Sequence, residues 1–149
     1  MPSPTIHASA VLVGARAVLI RGPSGSGKSQ LALALLEAAR TGTLTFARLI
    51  ADDCAEVEAV HGRLLVRPAP ALAGLIEIRG LGIRRMVHEP VAAVGLLVDL
   101  AAPDAARMPE PAAQNLEIEG ITLPRLAVAA GQAPLRLVLT YLRSCEENG

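Results

Sequence analysis

Gly22-Pro23-Ser24-Gly25-Ser26-Gly27-Lys28-Ser29 decides how the rest of this sequence is read. It fits the pattern Gly-x-x-x-x-Gly-Lys-Ser in full, and that pattern has a physical meaning. Glycines let the backbone wrap closely and turn its N–H groups toward an anion. A following helix aims its positive end at the same point. A lysine there reaches the outer phosphates of a nucleotide, and the next hydroxyl is a ligand for Mg²⁺. With Gly at about 7% of an average chain, a chance match in a sequence this long has odds of about one percent. The alternative is a glycine-rich turn in which Ser24 or Ser26 caps a helix.

The flanks suit the pattern. Arg16–Arg21, centred on Val18-Leu19-Ile20, is predicted to be a buried strand. Gln30–Arg40 is leucine and alanine on almost every side, which predicts a deeply packed helix stopping near Gly42. Arg48–Ala51 is a second short apolar strand, so strand, helix and strand read as a parallel βαβ unit. Working outward, Ile6–Val13 reads as one strand, and Val57–Val60 with Arg63–Val66 as a hairpin turning at His61-Gly62. Leu75–Arg79 alternates at period two, Val94–Leu100 is a buried strand, and residues 101–114 form a proline-bearing loop. Leu116–Leu123 reads as a hairpin and Pro134–Glu147 as a helix. The fold class expected is α/β, a mixed central sheet with flanking helices. Residues 1–149 make one domain.

Composition narrows the function. The 14 basic residues balance 14 acidic ones, and Phe46 and Tyr141 are the only aromatics. Nucleic-acid binders need a basic excess or stacking platforms, so no nucleic-acid partner is expected. No apolar run has the length of a membrane span, and the N-terminus has no signal-peptide pattern. A cytoplasmic protein with Cys54 and Cys145 reduced is expected. Thirteen of the basic residues are Arg, and the only Lys is Lys28. It falls on the one motif position that requires a compact ammonium rather than a planar fork.

Two of the four aspartates, Asp52 and Asp53, sit together where the second strand of the βαβ unit ends. In a parallel sheet that end faces the ligand. One carboxylate there can serve Mg²⁺. A doubled carboxylate can also accept a proton from an attacking hydroxyl. Further on, Glu77 and Arg79 share one face of their strand. His61 and His88 stand alone, and no His/Cys set has zinc spacing.

Ile6-His7, the loop Gly22–Ser29, Ala51-Asp52-Asp53 and Glu77-Ile78-Arg79-Gly80-Leu81-Gly82-Ile83 together resemble HPr kinase/phosphorylase. The last segment is the most distinctive, and the similarity is clear over residues 6 to about 85. It resembles the short, single-domain form. The resemblance implies an α/β P-loop fold like that of phosphoenolpyruvate carboxykinase. It also implies ATP- and Mg²⁺-dependent phosphorylation of a serine on HPr, the small phosphocarrier of the sugar phosphotransferase system, or on an HPr-like carrier. By position His7 matches an active-site His and Lys28 the loop Lys. Asp52, with Asp53 beside it, matches the proton acceptor for phosphorylation. Ser29 and Glu77 match Mg²⁺ ligands, with Asp52 beside them, and Arg79-Gly80 falls in the substrate segment. The same analogy implies a hexamer.

Two departures weigh against the reverse, phosphorylase direction. Arg84-Arg85-Met86-Val87-His88-Glu89-Pro90 offers no match for the family's catalytic Arg. Ala129-Ala130-Gly131-Gln132-Ala133 stands where the family has Pro-Gly-Arg-Asn. The competing readings are a small-molecule P-loop kinase and a non-catalytic ATP-binding module.

Overall fold

The computed structural model describes residues 3–148, with side chains to residue 144. Eleven strands and two helices follow in chain order. The strands are β1 (Thr5–Ile6), β2 (Ala8–Val13), β3 (Arg16–Arg21), β4 (Ala47–Ala51), β5 (Ala55–Val60) and β6 (Arg63–Pro68), then β7 (Leu75–Ile78), β8 (Gly82–Arg85), β9 (Ala92–Asp99), β10 (Asn115–Ile118) and β11 (Ile121–Ala127). The helices are α1 (Lys28–Arg40) and α2 (Pro134–Asn148).

Nine strands form one mixed, curled sheet in the order β1-β5-β6-β9-β3-β2-β4, with β11 on β9 and β10 on β11. β3, β9 and β11 run parallel, and the other pairings are antiparallel. β7 and β8 form a separate hairpin. The parallel strands end together, so Arg21 pairs with Asp99 at the edge from which the glycine loop springs.

Alternation sorts the core onto two faces. Val18, Ile20, Val11, Leu49, Leu96 and Val98 pack with Leu31, Leu35 and Leu36 of α1 and Val138 of α2. Ala17, Leu19, Ala8, Ala10 and Leu97 meet Val57, Leu64 and Val66, because β5 and β6 curl over that face. A sheet covered on both sides needs near-continuous apolar strands, which β3 and β9 supply.

Three expectations change. Ile6–Val13 is two strands: β1 pairs with β5 and β2 with β3, and the chain bends at His7 between them. β3 and β4 run in the same direction but are not neighbours, because β2 lies between them and pairs antiparallel with both. The parallel neighbour of β3 is β9, so periodicity gave β3 and β4 as strands correctly and their adjacency wrongly. Arg79 lies in the turn after β7, not on the strand. Cys54 is a free thiol, and the side chain of Cys145 lies outside the described residues. Among the described residues no helix is long and apolar enough to cross a membrane.

Candidate active site

The glycine loop leaves β3 and enters α1 at Lys28, with Gly27 as the helix N-cap and no side chain capping it. That disposes of the serine-capped turn. Gly25 and Gly27 have φ of 81° and 101°, a region that a side chain makes costly, and this is why glycine recurs here. Ser26 Oγ is buried without a partner, alone in this among the described side chains. The loop therefore carries unsatisfied hydrogen-bonding capacity, as an anion cradle does.

Lys28 is only 7% exposed. Its Nζ donates to the carbonyls of Gly22 at 3.0 Å and Pro23 at 3.4 Å, and lies 3.7 Å from Asp53 Oδ1. Ser29 Oγ donates to Asp52 Oδ1 at 2.6 Å. This fixes the hydroxyl proton and leaves the oxygen lone pairs for a cation.

The two aspartates have separate surroundings. Asp52 is buried, and both its oxygens are taken. Oδ1 accepts from Ser29 and from Ser9 Oγ at 2.8 Å, and Oδ2 accepts from the Glu77 N–H at 2.9 Å. It ties β2, α1 and β7 together. Asp53 has its side chain 67% exposed and lines a cavity of about 540 Å³. Lys28, Ser29, Glu77, Arg79 and Gly80 line the same cavity, with Ser24, Gly25 and Gly27 of the loop. The structure thus gathers most of the predicted site around one space. It does not put Asp52 on the wall; of the two aspartates only Asp53 lines the cavity. Pro23 and Ser26 line an adjoining pocket of about 330 Å³, together with Gly131 and Gln132. Gly22 supports the loop from behind, because a Cβ there would clash with Ser26 Oγ and come within 3.2 Å of the Leu100 carbonyl. His7 is exposed, lies at the same sheet end, and is not among the residues lining the cavity.

Among the described residues no three His, Cys, Asp or Glu side chains gather closely enough to hold a metal unaided. That suits Mg²⁺, which usually takes one or two protein ligands and completes its shell with phosphates and water. Ser29 and Glu77 on the cavity wall are a donor set of that kind.

Sequence reasoning missed a partly buried charge cluster behind the loop, centred on the buried Asp99. Arg21, the residue before Gly22, forms two bonds with Asp99, at 2.8 and 2.9 Å. Arg125 on β11 donates to Asp99 at 2.6 Å and to both oxygens of Asp104, at 2.8 and 3.0 Å. Burial disfavours the Asp99 charge, but the bonds and charges of Arg21 and Arg125 outweigh it and hold the carboxyl below its ordinary range. The Arg125 bond likewise lowers Asp104. The Asp104 bond, against burial and together with Asp99, raises Arg125 further. The signal was present: Asp99 closes an apolar strand as Asp52 does, but its partners lie 78 and 26 residues away. Ser9 was also missed, a lone hydroxyl in the apolar run Ala8–Val13.

Residues 1–89 match the family profile of the HPr serine kinase C-terminal domain. The chain belongs to this family. It is 34% identical over 138 residues to the HPr kinase/phosphorylase of Geobacillus thermodenitrificans, covering 85% of this chain and 42% of that protein. The Bacillus subtilis HPr kinase/phosphorylase is 43% identical over 83 residues, 55% of this chain and 24% of its own length. The chain therefore spans less than half the length of these curated relatives. A solved structure of the Hpr(Ser) kinase/phosphatase from Coxiella burnetii superposes with a TM-score of 0.72 at 26% identity, covering 97% of this chain and 92% of that one. The likeness extends through β9–β11 and α2, beyond the segment the profile matches.

Proposed function

We propose that this HPr kinase family member is an ATP-dependent protein-serine kinase acting on HPr or an HPr-like phosphocarrier, with the glycine loop as its P-loop. On this reading the fold is that of the P-loop kinases resembling phosphoenolpyruvate carboxykinase. The convergence of Lys28, Ser29, Asp53 and Glu77 on one cavity beside the glycine loop carries the reading.

Each residue has a task. The loop amides and Lys28 hold the outer phosphates, and the phosphates take over the contacts Lys28 makes with the Gly22 and Pro23 carbonyls. Ser29 and Glu77 hold Mg²⁺, which when bound neutralises charge on the phosphoryl oxygens. Asp53 takes the proton of the serine hydroxyl as the serine oxygen bonds to the γ-phosphorus, the bond from that phosphorus to the β,γ-bridging oxygen breaks, and ADP leaves. Asp52 orients Ser29 and anchors β7 from below.

A protein acceptor fits the cavity's rim better than a small molecule does. Ile83, 65% exposed, stands directly across the β7–β8 ladder from Glu77, and Leu81 is 58% exposed at the turn between them. Arg84 and Arg85 are exposed on the same hairpin. An apolar and basic rim contributes nothing to a buried metabolite, but it can seat the residues around a protein serine.

The test is incubation with γ-labelled ATP, Mg²⁺ and purified HPr-like carriers, followed by mapping of the labelled residue. A phosphoserine on the carrier is expected. Label appearing only on a small metabolite overturns the reading in favour of a small-molecule kinase, and binding of ATP without transfer to any acceptor overturns it in favour of a regulatory module.

A further inference from the structure

We infer that Ser9 is a positioning residue for phosphoryl transfer: it holds the Asp52-Asp53 turn so that Asp53 presents its carboxylate to the acceptor hydroxyl. This role rests on the kinase reading and adds to it a residue outside the cavity.

β2 and β4 pair Val13 with Ala47, Leu12 with Arg48 and Val11 with Leu49. An unbroken antiparallel ladder would next pair Ala10 with Ile50, and then set Ser9 opposite Ala51. Instead the register shifts between Ala10 and Val11, and Ala10 pairs with Ala51. Ile50 is the extra residue of a bulge, and Ser9 comes opposite Asp52. A bulge re-aims the residues beyond it, and here these run through Ala51, the last residue of β4, into the aspartate pair that follows.

Ser9 then uses its whole hydroxyl on that pair. It is fully buried. Its Oγ donates to Asp52 Oδ1 at 2.8 Å and accepts from the Asp53 N–H at 3.1 Å. Among the described residues it is the only side chain hydrogen-bonded to both aspartates. The turn it braces is unusual. Asp53 has φ of 62°, and the Cys54 N–H donates to the Asp52 carbonyl two residues back at 2.7 Å. A three-residue turn with positive φ at its centre is rare and strained for a side-chain-bearing residue. Such a conformation persists only where its surroundings over-determine it. The Ser9 bond to the central N–H supplies that constraint. It points the Asp53 side chain into the cavity, where its Oδ1 lies 3.7 Å from Lys28 Nζ.

Ser9 is not itself part of the cavity wall and hydrogen-bonds to no residue of the glycine loop; it reaches the site only through the two aspartates, and Ser29 keeps its own bond to Asp52 Oδ1 when Ser9 is replaced, so the loss falls on Asp53 and kcat rather than on nucleotide binding. The test compares Ser9→Ala with Ser9→Thr, which keeps the hydroxyl. Three quantities are read: KM for ATP, kcat for transfer to the carrier, and exchange of the Asp53 backbone amide followed by ¹H–¹⁵N spectra. In Ser9→Ala, KM for ATP is expected to stay within about twofold, while kcat falls about ten- to a hundredfold. The Asp53 amide loses its protection. Ser9→Thr restores both kcat and protection. Should Ser9→Ala not fold, Ser9→Cys, close to it in size and a weak donor, replaces it with the same expectations. A kcat at the wild-type level once the amide is unprotected overturns the inference. So does a kcat loss that Ser9→Thr leaves in place while protecting the amide, or a loss confined to KM for ATP. A wild-type chain that transfers nothing overturns the kinase reading instead; the amide exchange, which needs no turnover, then decides whether Ser9 holds the turn.

Discussion

Replacing each aspartate of the pair by asparagine separates two roles that adjacent identical residues conceal. Asp52 accepts three hydrogen bonds, two from serine hydroxyls on Oδ1 and one from a backbone N–H on Oδ2. Asparagine keeps one oxygen. Hydroxyls can rotate and the Glu77 N–H cannot, so the least costly arrangement leaves the oxygen on Glu77 and turns the new NH₂ toward Ser9 and Ser29. All three bonds lose their charge assistance, each going from about 1.5–3 kcal/mol to about 1 kcal/mol, and the two serine bonds reverse their donors. The expected loss is about 1.5–6 kcal/mol, or roughly 3–24 °C in Tm for a domain of this size. Asp53→Asn removes a charge from a mostly exposed side chain whose nearest partner is 3.7 Å away. Asparagine tolerates positive φ, so stability should change by no more than about 0.5 kcal/mol. Activity runs the other way in proportion to stability. Asp53→Asn loses its proton acceptor, and kcat should fall by about 10²–10⁴ with ATP binding retained. Thermal unfolding of the three proteins, alongside initial rates of carrier phosphorylation, reads both quantities. An Asp52→Asn variant as stable as wild type refutes the anchoring role. An Asp53→Asn variant transferring at the wild-type rate refutes proton acceptance by that residue.

Three further outcomes are expected. Lys28→Ala should abolish transfer to every acceptor tested, and a wild-type rate by labelled-ATP assay would remove the loop from the mechanism. Ile83→Asp should raise KM for the carrier at least about tenfold, since one buried apolar side chain is worth roughly 1.5–3 kcal/mol, without moving KM for ATP; an unchanged carrier KM refutes docking on the hairpin. Asp99 has its carboxyl lowered by Arg21 and Arg125, and Asp104 by Arg125, so their contribution to stability is present above the ordinary carboxylate range and is lost as pH falls through the lowered values. Arg125→Met should therefore move the acid-unfolding midpoint to higher pH, and a midpoint that stays or moves down refutes the assignment.

How much of this was legible in the sequence depends on the range of the signal. The glycine loop, α1, the β5–β6 and β10–β11 hairpins and the ends of β3, β4 and β9 follow from residues within a few positions of one another, and the structure forms all of them; β8, exposed along its whole length, had no apolar pattern to reveal it. The insertion of β2 between β3 and β4 does not follow. Both parallel and antiparallel neighbours satisfy an apolar run, and a buried strand such as Val18-Leu19-Ile20 has no face left to say which partner it takes. The Arg21–Asp99–Arg125 cluster was hidden for a related reason: each charge alone resembles a surface residue until the sheet order brings β3, β9 and β11 side by side.

Range also explains why the two aspartates could be found as a pair but not told apart in their surroundings. Spacing along the chain put Asp52 and Asp53 together just past β4, and the structure has them there, beside the glycine loop. Which of the two lines the cavity turns on a single bulge at Ile50 and on the positive φ of Asp53. Neither leaves a mark in the pattern of apolar residues, because β4 reads the same with or without an extra position. Ser9 did leave a mark. A lone hydroxyl at a fully buried position of an apolar strand has to satisfy both its donor and its acceptor, and a doubled aspartate at the end of another strand offers both a carboxylate and a strained backbone N–H. A buried serine in one strand and an aspartate pair closing another are thus two halves of one polar contact, and looking for the second half is how such a site can be resolved to the individual carboxylate.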